Sequence, residues 1–395
     1  MEIFSKFYYI APNDLQIPRV DRQSIVYFCE ALYKKSIKLE LVTYSLKTTY
    51  EKYDTNSPLD LYRIETQFPV KVLTTPAKQT TNKIIVQVYR FAVYFIYISK
   101  ILFKAGKNEC VVFYVKNYSI VLILRIMNFL INKNIRIIFE LHIPPKNRYQ
   151  KYVLTKANGI NCNTYKLAKD LKADYGFNKE KLIGTHQGVN IELINKNKLE
   201  KEDAKRILKI PKETFVAMYA GTVYKGNKEI LYYLEAAKEL PKNVVIYIVG
   251  GRSDHVEYFT TYIKDNDIKN IIFTGFVEPK EIDIYLSSAD LFLLYYNSDR
   301  KLNKYGSPSK LFEYLAHNKP LICVDIPIIR EVIGEKPPVE LVQPDNPIEL
   351  RKSIISIRNN YEQYLGTSES AYKLVQEFTW DKRADKLIDF IKNLK

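Results

Sequence analysis

Three apolar runs in the second half of the chain each stop at a glycine, and this pattern restricts the possible folds more than any other feature. The runs and the glycines that end them are F-V-A-M-Y-A before Gly221, V-V-I-Y-I-V before Gly250 and Gly251, and I-I-F-T before Gly275. Helix-like segments separate the runs, an alternation typical of parallel strands covered by helices. Because glycine lets a ligand approach the backbone closely, we expect a ligand-binding cleft where these strands end.

The segment from Tyr305 to Asp325 predicts a helix start beside that cleft. Ser307 is a favourable N-cap and Pro308 suits the first helical position, so that Lys310 falls in the first turn and Glu313 about one turn later. A helix N-terminus with a lysine attracts phosphate. A carboxylate one turn along can accept hydrogen bonds from ribose hydroxyls. An ordinary capped helix with a surface lysine and glutamate is the alternative interpretation.

The first half of the chain repeats the strand–helix alternation. A strand at 7–10, a polar loop at 11–24, a helix and a strand beginning at Leu39 indicate a second doubly wound unit. The loop contains Arg19, Asp21 and Arg22 but no G-x-G-x-x-G, which argues against an NAD enzyme. His142 stands where the run F-E-L-H ends, a site position in such sheets, although a lone histidine is more often structural.

These patterns predict a domain organisation with four parts. They are an N-terminal domain at 1–195, a linker at 196–212, a C-terminal domain at 213–377, and a final amphipathic helix at 378–395.

The positive charge is concentrated in the first half of the chain. Residues 1–195 carry 29 Lys and Arg against 15 Asp and Glu, whereas residues 196–395 carry 31 against 29. This imbalance indicates an anionic partner: a lipid surface, a phosphate-bearing acceptor or nucleic acid. The run 84–102 is nearly long enough to span a bilayer, but Arg90 in its middle is costly in lipid, so we expect an amphipathic helix. It is either a core helix of an α/β domain or a helix whose outer side contacts a membrane surface.

The four cysteines and the N-terminus favour a cytoplasmic setting. Cys29, Cys110, Cys162 and Cys323 lie far apart in apolar runs, so we expect neither a disulfide framework nor a cysteine metal site. The apolar run at the N-terminus is too short for a secretory signal.

Several motifs together resemble the retaining nucleotide-sugar glycosyltransferases of family four, which have the GT-B fold. They are Y-A-G-T-V-Y-K-G, I-V-G-G, F-T-G-F-V and S-P-S-K-L-F-E-Y-L-A, the last in the S-P-x-K-x-x-E-Y form of one branch, with looser likeness in F-E-L-H and H-Q-G-V-N-I-E. The resemblance implies two Rossmann-like domains facing a central cleft, and a C-terminal helix that crosses back to the first domain. The first acid of the family's glutamate pair is replaced by Tyr305, so the resemblance implies diphosphate binding without specifying the sugar.

The resemblance also implies site residues. Lys225 and Lys310 would neutralise the leaving diphosphate, and His142 would line the cleft near the acceptor or the sugar. The implied donor-binding set is Gly221, Thr222, Lys225, Gly250, Gly251, Phe276, Val277, Ser307, Pro308, Ser309, Lys310, Leu311 and Glu313.

The expected ligands follow from these roles. The donor is a UDP- or GDP-sugar, and the acceptor is a saccharide or lipid-linked saccharide, with possible contact to the inner membrane surface and no nucleic acid expected. We expect no cofactor and no metal, because two lysines can neutralise a diphosphate; Asp265 and Asp267 match a D-x-D motif but lie in a predicted surface turn. The alternatives are a nucleotide-sugar epimerase of the same fold and a non-catalytic basic protein that binds membrane or nucleic acid.

Overall fold

The computed structural model describes residues 4–16, 20–46, 57–75, 82–299 and 303–394. The chain divides into two compact units, one formed by Met1–Gly188 together with Trp380–Lys395 and the other by Val189–Thr379. Each unit contains one parallel β-sheet with helices between successive strands. This confirms the prediction of two doubly wound α/β domains.

The sheet of the first unit has seven strands within the described residues. Their spatial order is β3 (Val70–Thr75), β2 (Leu39–Leu46), β1 (Lys6–Ile10), β4 (Val111–Val115), β5 (Ile135–Leu141), β6 (Gly159–Cys162) and β7 (Leu182–Gly184). The helices are α1 (Val20–Lys34), α2 (Lys83–Lys104), α3 (Tyr118–Ile131), α4 (Arg148–Thr155) and α5 (Tyr165–Tyr175). Every residue of β4 is buried, as expected for a strand covered on both faces.

The sheet of the second unit has six strands within the described residues. Their spatial order is β10 (Ile271–Gly275), β9 (Val244–Val249), β8 (Phe215–Ala220), β11 (Leu291–Leu294), β12 (Leu321–Val324) and β13 (Glu340–Val342). The helices are α6 (Ile191–Asn197), α7 (Lys201–Ile207), α8 (Lys228–Ala237), α9 (Ser253–Asp265), α10 (Ile282–Ser288), α11 (Ser309–Ala316), α12 (Pro327–Ile333), α13 (Pro347–Asn359) and α14 (Tyr361–Val375).

The final helix, α15 (Trp380–Asn393), belongs to the first unit although it follows the second in sequence. It packs against α1, with the Trp380 ring 6.3 Å from that of Phe28 and Lys35 Nζ 2.9 Å from Asp385 Oδ1. The prediction that this helix returns to the first domain is confirmed.

The segment 196–212, predicted as a linker, packs onto the second unit. Lys205 of α7 is buried, and its ammonium donates to Asp290 Oδ2 and to the Thr214 carbonyl, both at 2.8 Å. Asp290 directly precedes β11, so a buried ion pair joins this segment to the sheet.

The loop predicted at 11–24 is shorter than expected. Helix α1 begins at Val20, which places Asp21 and Arg22 in its first turn; Arg19 lies outside the described residues. An acidic residue in the first turn is favoured by the helix dipole, which accounts for the earlier start. Asp21 also accepts a hydrogen bond from Asn13 Nδ2 at 3.1 Å, so the end of β1 is tied to the helix.

Helix α2 is long and apolar enough to span a membrane, the single such helix among the described residues, although most of its apolar window is exposed. One stripe of the helix is buried against the sheet, including Tyr94, Ile98 and Leu102. The Tyr94 hydroxyl donates to the Ala11 carbonyl just after β1 at 2.9 Å. The helix is therefore part of the folded unit and carries a second, outward apolar face.

Candidate functional site

The three strand ends that carry glycine lie side by side in the second unit. Strands β8, β9 and β10 are neighbours, and the Gly250 N–H donates to the Gly275 carbonyl at 3.0 Å. A Cβ on Gly250 would lie 2.4 Å from the Gly221 carbonyl oxygen, and φ of Gly250 is +112°. Only glycine fits this crossing, so the main chain itself forms the surface here.

Gly221 plays a different part, because its missing side chain leaves room for Lys310. A Cβ at Gly221 would lie 2.6 Å from Lys310 Nζ and 2.8 Å from the Tyr219 hydroxyl. The Lys310 ammonium donates to the Ala220 carbonyl and lies 5.6 Å from the centroid of the Tyr219 ring. The structure thus joins two separately predicted features, the glycine turn and the helix lysine.

Helix α11 begins at Ser309, one residue later than predicted, and Ser307 is not its N-cap. The N-cap is Pro308, with φ −83° and ψ 75° and no side-chain capping bond. The Pro308 carbonyl instead accepts from the Leu311 N–H at 2.9 Å, while the Ser309 N–H donates to the Ser307 carbonyl at 3.0 Å. Two N–H groups of the helix start are therefore already used, so an anion would depend more on the lysine.

The residues of α11 divide between the core and the surface. Leu311 is fully buried in the core, so its side chain is unavailable to a ligand. Tyr314 is also buried, and its hydroxyl accepts from the Ala220 N–H at 2.9 Å, which fixes the helix to the end of β8. Lys310 and Glu313 are partly exposed.

The remaining predicted donor residues surround the same strand ends. Thr222 and Lys225 are exposed in the loop between β8 and α8, with Lys225 Nζ 5.5 Å from the Tyr258 ring centroid. Gly251, with φ +106°, follows β9 and packs against Val223. After β10, Phe276 is 70% exposed, whereas Val277 packs against the core.

His142 lies in the first unit, directly after β5, and it rests on a buried charge cluster. Its Nε2 is 3.0 Å from Glu140 Oε1, and the histidine side chain is 40% exposed. Glu140 also accepts from the Tyr9 hydroxyl at 2.7 Å and pairs with Lys116 Nζ at 3.2 Å and Arg383 at 3.1 Å. Every described partner of this carboxylate therefore comes from the first unit.

The cluster keeps Glu140 ionised despite its burial. Burial alone raises the pKa of this carboxyl, but Lys116, the hydrogen bond with His142 and Arg383 outweigh it and hold the pKa well below its usual range. Burial and the neighbouring Glu140 raise the pKa of the Tyr9 hydroxyl well above its usual value, which keeps Tyr9 a donor. Glu140 was not among the predicted site residues; the one signal for it in the sequence is an acidic residue inside the apolar run F-E-L-H.

The D-x-D motif lies away from the strand ends. Asp265 ends α9, and Asp267, in the following turn, is exposed and pairs with Lys269 at 3.2 Å. Within the described ranges, no group of three or more His, Cys, Asp or Glu side chains could hold a metal ion.

The amino-acid sequence of the chain is similar to a protein-family model and to several known proteins. Residues 200–374 match the family model "Glycosyl transferases group 1". The chain is similar to the putative teichuronic acid biosynthesis glycosyltransferase TuaH of Bacillus subtilis, with 26% identity over 50% of this chain and 47% of that protein. It is also similar to alpha-galactosylglucosyldiacylglycerol synthase of Streptococcus pneumoniae, with 35% identity over 26% of this chain and 29% of that protein. The chain thus spans about half the length, or less, of these curated relatives.

The solved structures extend the likeness to the whole chain. Anabaena HepE in complex with UDP and glucose superimposes with a TM-score of 0.71 at 14% identity, covering 99% of this chain and 100% of that one. The chain itself has two Rossmann-like parallel-sheet domains and a C-terminal helix that returns to the first. The chain therefore has the GT-B fold of glycosyltransferases, and its second domain matches the glycosyl transferases group 1 model.

Proposed function

We propose that this protein is a retaining glycosyltransferase of family four that moves a hexose from a UDP- or GDP-sugar to a saccharide or lipid-linked saccharide in surface glycan synthesis. The observation that carries the proposal is the contact between the Gly221 turn and Lys310 at the end of β8. This contact places the Lys310 ammonium beside backbone that no side chain covers. Both lie at the C-terminal ends of the strands, where α/β folds bind nucleotides.

In this proposal, the second unit holds the donor. The diphosphate lies at Lys310 and the start of α11, and Glu313, about one helical turn further on, accepts from the ribose hydroxyls. The exposed ring of Phe276 provides a face for the base. Lys225 adds a second cation from the loop after β8.

Catalysis would come from charge stabilisation at the leaving group. Cleavage of the bond between the sugar and the diphosphate builds negative charge on the leaving oxygen. A cation held in place lowers the barrier because it interacts more strongly with that charge than with the ground state. Lys310 is held by the Ala220 carbonyl and the Tyr219 ring. With retention of configuration, the leaving phosphate takes the acceptor proton, and His142 lines the acceptor side.

We further propose that the first unit meets the cytoplasmic face of a membrane. The outward side of α2 exposes Ile84, Val88 and Ile96, and the sequences of α2 and α3 contain basic residues but no Asp or Glu. An apolar helix face with basic residues binds anionic lipid surfaces. The name of the Streptococcus pneumoniae relative, alpha-galactosylglucosyldiacylglycerol synthase, contains a diacylglycerol lipid, and this supports a lipid-linked acceptor for the present chain.

The test of the function is a donor panel followed by a transfer assay. Thermal-shift and calorimetric titration with UDP-, GDP- and other nucleotide sugars should identify one nucleoside diphosphate that stabilises the protein. That donor should then be consumed only when a saccharide acceptor is present, with the anomeric product determined by NMR. Failure of every nucleotide sugar to bind would disprove the assignment.

Metal independence has its own test. Because Lys310 and Lys225 supply the positive charge, we expect EDTA to leave the transfer rate unchanged. Loss of transfer that added Mg²⁺ or Mn²⁺ restores would instead require a metal at the diphosphate.

A further inference from the structure

The first unit has an apolar pocket at the same edge of its sheet as His142. Its volume is about 280 Å³, and its walls come from Ile10 at the end of β1, from Ile120 in the first turn of α3 and from α2. The α2 residues that the argument needs are Val88, Arg90, Phe91 and Tyr94. Because β1, β4 and β5 are neighbours, the pocket lies about two strand spacings, roughly 10 Å, from the strand that carries His142.

The inner wall of the pocket is fixed by the fold. Tyr94 is 2% exposed, and its hydroxyl bond to the Ala11 carbonyl ties α2 to the end of β1. Ile120 is buried, and α3 begins with Asn117 accepting from the Ser119 N–H at 2.8 Å. The cavity therefore exists before any ligand enters, which lowers the entropic cost of filling it.

The outer wall opens onto an apolar surface. Val88 is 62% exposed, and beyond it α2 exposes Ile96 and Phe103 while α3 exposes Phe129 at 88%. Contiguous apolar exposure of this kind marks a binding surface. The pocket is thus continuous with the face that we propose meets the membrane.

The pocket wall carries a positive charge from Arg90. Arg90 stands on the wall, with its guanidinium carbon 5.9 Å from the Tyr44 ring centroid, and it forms no ion pair with any described residue. The sequences of α2 and α3 provide no carboxylate to neutralise it. A guanidinium that is not paired can bind a phosphate with two parallel hydrogen bonds.

We propose that this pocket binds the hydrocarbon chain of a phosphate-linked lipid acceptor, with Arg90 on its phosphate. The assignment rests on the proposed function in calling this lipid the acceptor. The chain enters from the apolar face, the phosphate stops at Arg90, and the saccharide extends along the sheet edge toward His142.

The test is calorimetric titration with dodecyl phosphate below its critical micelle concentration. We expect saturable binding at one site, at least tenfold weaker in Val88→Trp, which fills the pocket from its open side, and weaker in Arg90→Gln. The matched control is Ile96→Trp, which adds the same ring to the same apolar face outside the pocket and should bind like the wild type. Inorganic phosphate alone should not compete at equal concentration.

Other outcomes would overturn the proposal. Absence of binding, or equal weakening by Val88→Trp and Ile96→Trp, would exclude the pocket as the chain site. A dimer in sedimentation that Phe129→Glu dissociates would assign the apolar face to a second copy of this chain. The donor panel is independent of these results: donor binding without dodecyl phosphate binding overturns the pocket alone, and the reverse result overturns the glycosyltransferase assignment alone.

Discussion

The two sheets differ in the residues that lie at the C-terminal ends of their strands. In the second unit, glycines at 221, 250 and 275 remove side chains, so main chain and one lysine form the edge. In the first unit, the corresponding edge is filled by Glu140 and its partners, with His142 resting on top. The same fold therefore offers an open backbone surface in one unit and a rigid charged platform in the other.

The largest effect that we expect concerns the platform. Glu140→Gln keeps the shape of the side chain but leaves Lys116 and Arg383 without their counter-charge, which should lower the unfolding free energy by about 3–5 kcal/mol. Urea unfolding followed by the fluorescence of Trp380, the one tryptophan of the sequence, reports on this unit. The exposed Glu180→Gln is the control and should change little.

The pH dependence of the unfolding free energy of Glu140→Gln tests whether the ionised carboxylate of Glu140 is the cause. The native pKa of Glu140 is lowered, so the stability it contributes is complete above its ordinary pKa and is lost as the pH falls toward the native value. Wild type should lose stability in that acid range, and Glu140→Gln should lose less. Parallel curves for the two proteins would contradict an ionised platform.

The next effect concerns the open edge. Lys310→Ala removes the cation held at the end of β8 and should lower kcat about 10²–10³-fold, the range seen when a fixed stabilising group is deleted. Lys225→Ala should also lower kcat, and by less, because its ammonium is exposed near Tyr258. Lys238→Ala, in a surface pair with Glu235, serves as the control. Turnover at the wild-type rate in Lys310→Ala would refute its role at the leaving group.

A smaller effect comes from a buried histidine just after α11. Burial, with Lys319 and Lys198 nearby, lowers the pKa of His317 to about 3, and neither ring nitrogen has a hydrogen-bond partner among the described residues. Below its ordinary pKa near 6.5, the unfolded chain binds a proton that the folded protein does not. Stability should therefore fall by about 2 kcal/mol between pH 7 and pH 5.

The variant His317→Phe should remove this contribution, because the ring already packs beside Phe292 and loses no hydrogen bond. Calorimetric unfolding at pH 7 and pH 5 gives the difference between variant and wild type. An unchanged pH dependence would mean that His317 is protonated in the folded protein.

The smallest effect separates binding from catalysis at the open edge. Glu313→Ala should weaken nucleoside diphosphate binding about tenfold, the equivalent of one hydrogen bond to a charged group, with little change in kcat. Titration calorimetry measures the affinity, and Glu235→Ala on α8 provides the control. Equal affinity in Glu313→Ala and wild type would remove the ribose contact.

The sequence predicted what depends on local pattern. Apolar runs ending at Gly221, Gly250 and Gly275 indicated parallel strands, and strand order then places their ends together. The start of α11 was predicted one residue early, because Pro308 takes the N-cap instead of the first helical position. Residue roles at the donor site stay predictions.

What the sequence could not reveal depends on contacts between distant residues. Glu140 forms hydrogen bonds with Tyr9, which lies 131 positions away in the sequence, and with Arg383, which lies 243 positions away. Composition and periodicity carry no record of such partners. A lone carboxylate in an apolar strand shows that partners must exist, since a buried charge requires them, but does not name them.

The return of α15 to the first unit sets an order of events during synthesis. The first unit is complete only when Trp380–Asn393 has been made, whereas Val189–Thr379 is one uninterrupted stretch. At the ribosome, that stretch takes on the order of 10–40 s to synthesise. Throughout this interval Glu140 lacks Arg383, and Phe28 lacks the cover of Trp380. The nascent first domain therefore stays uncovered on the side that α15 will later pack against, and the second domain can finish folding before the first.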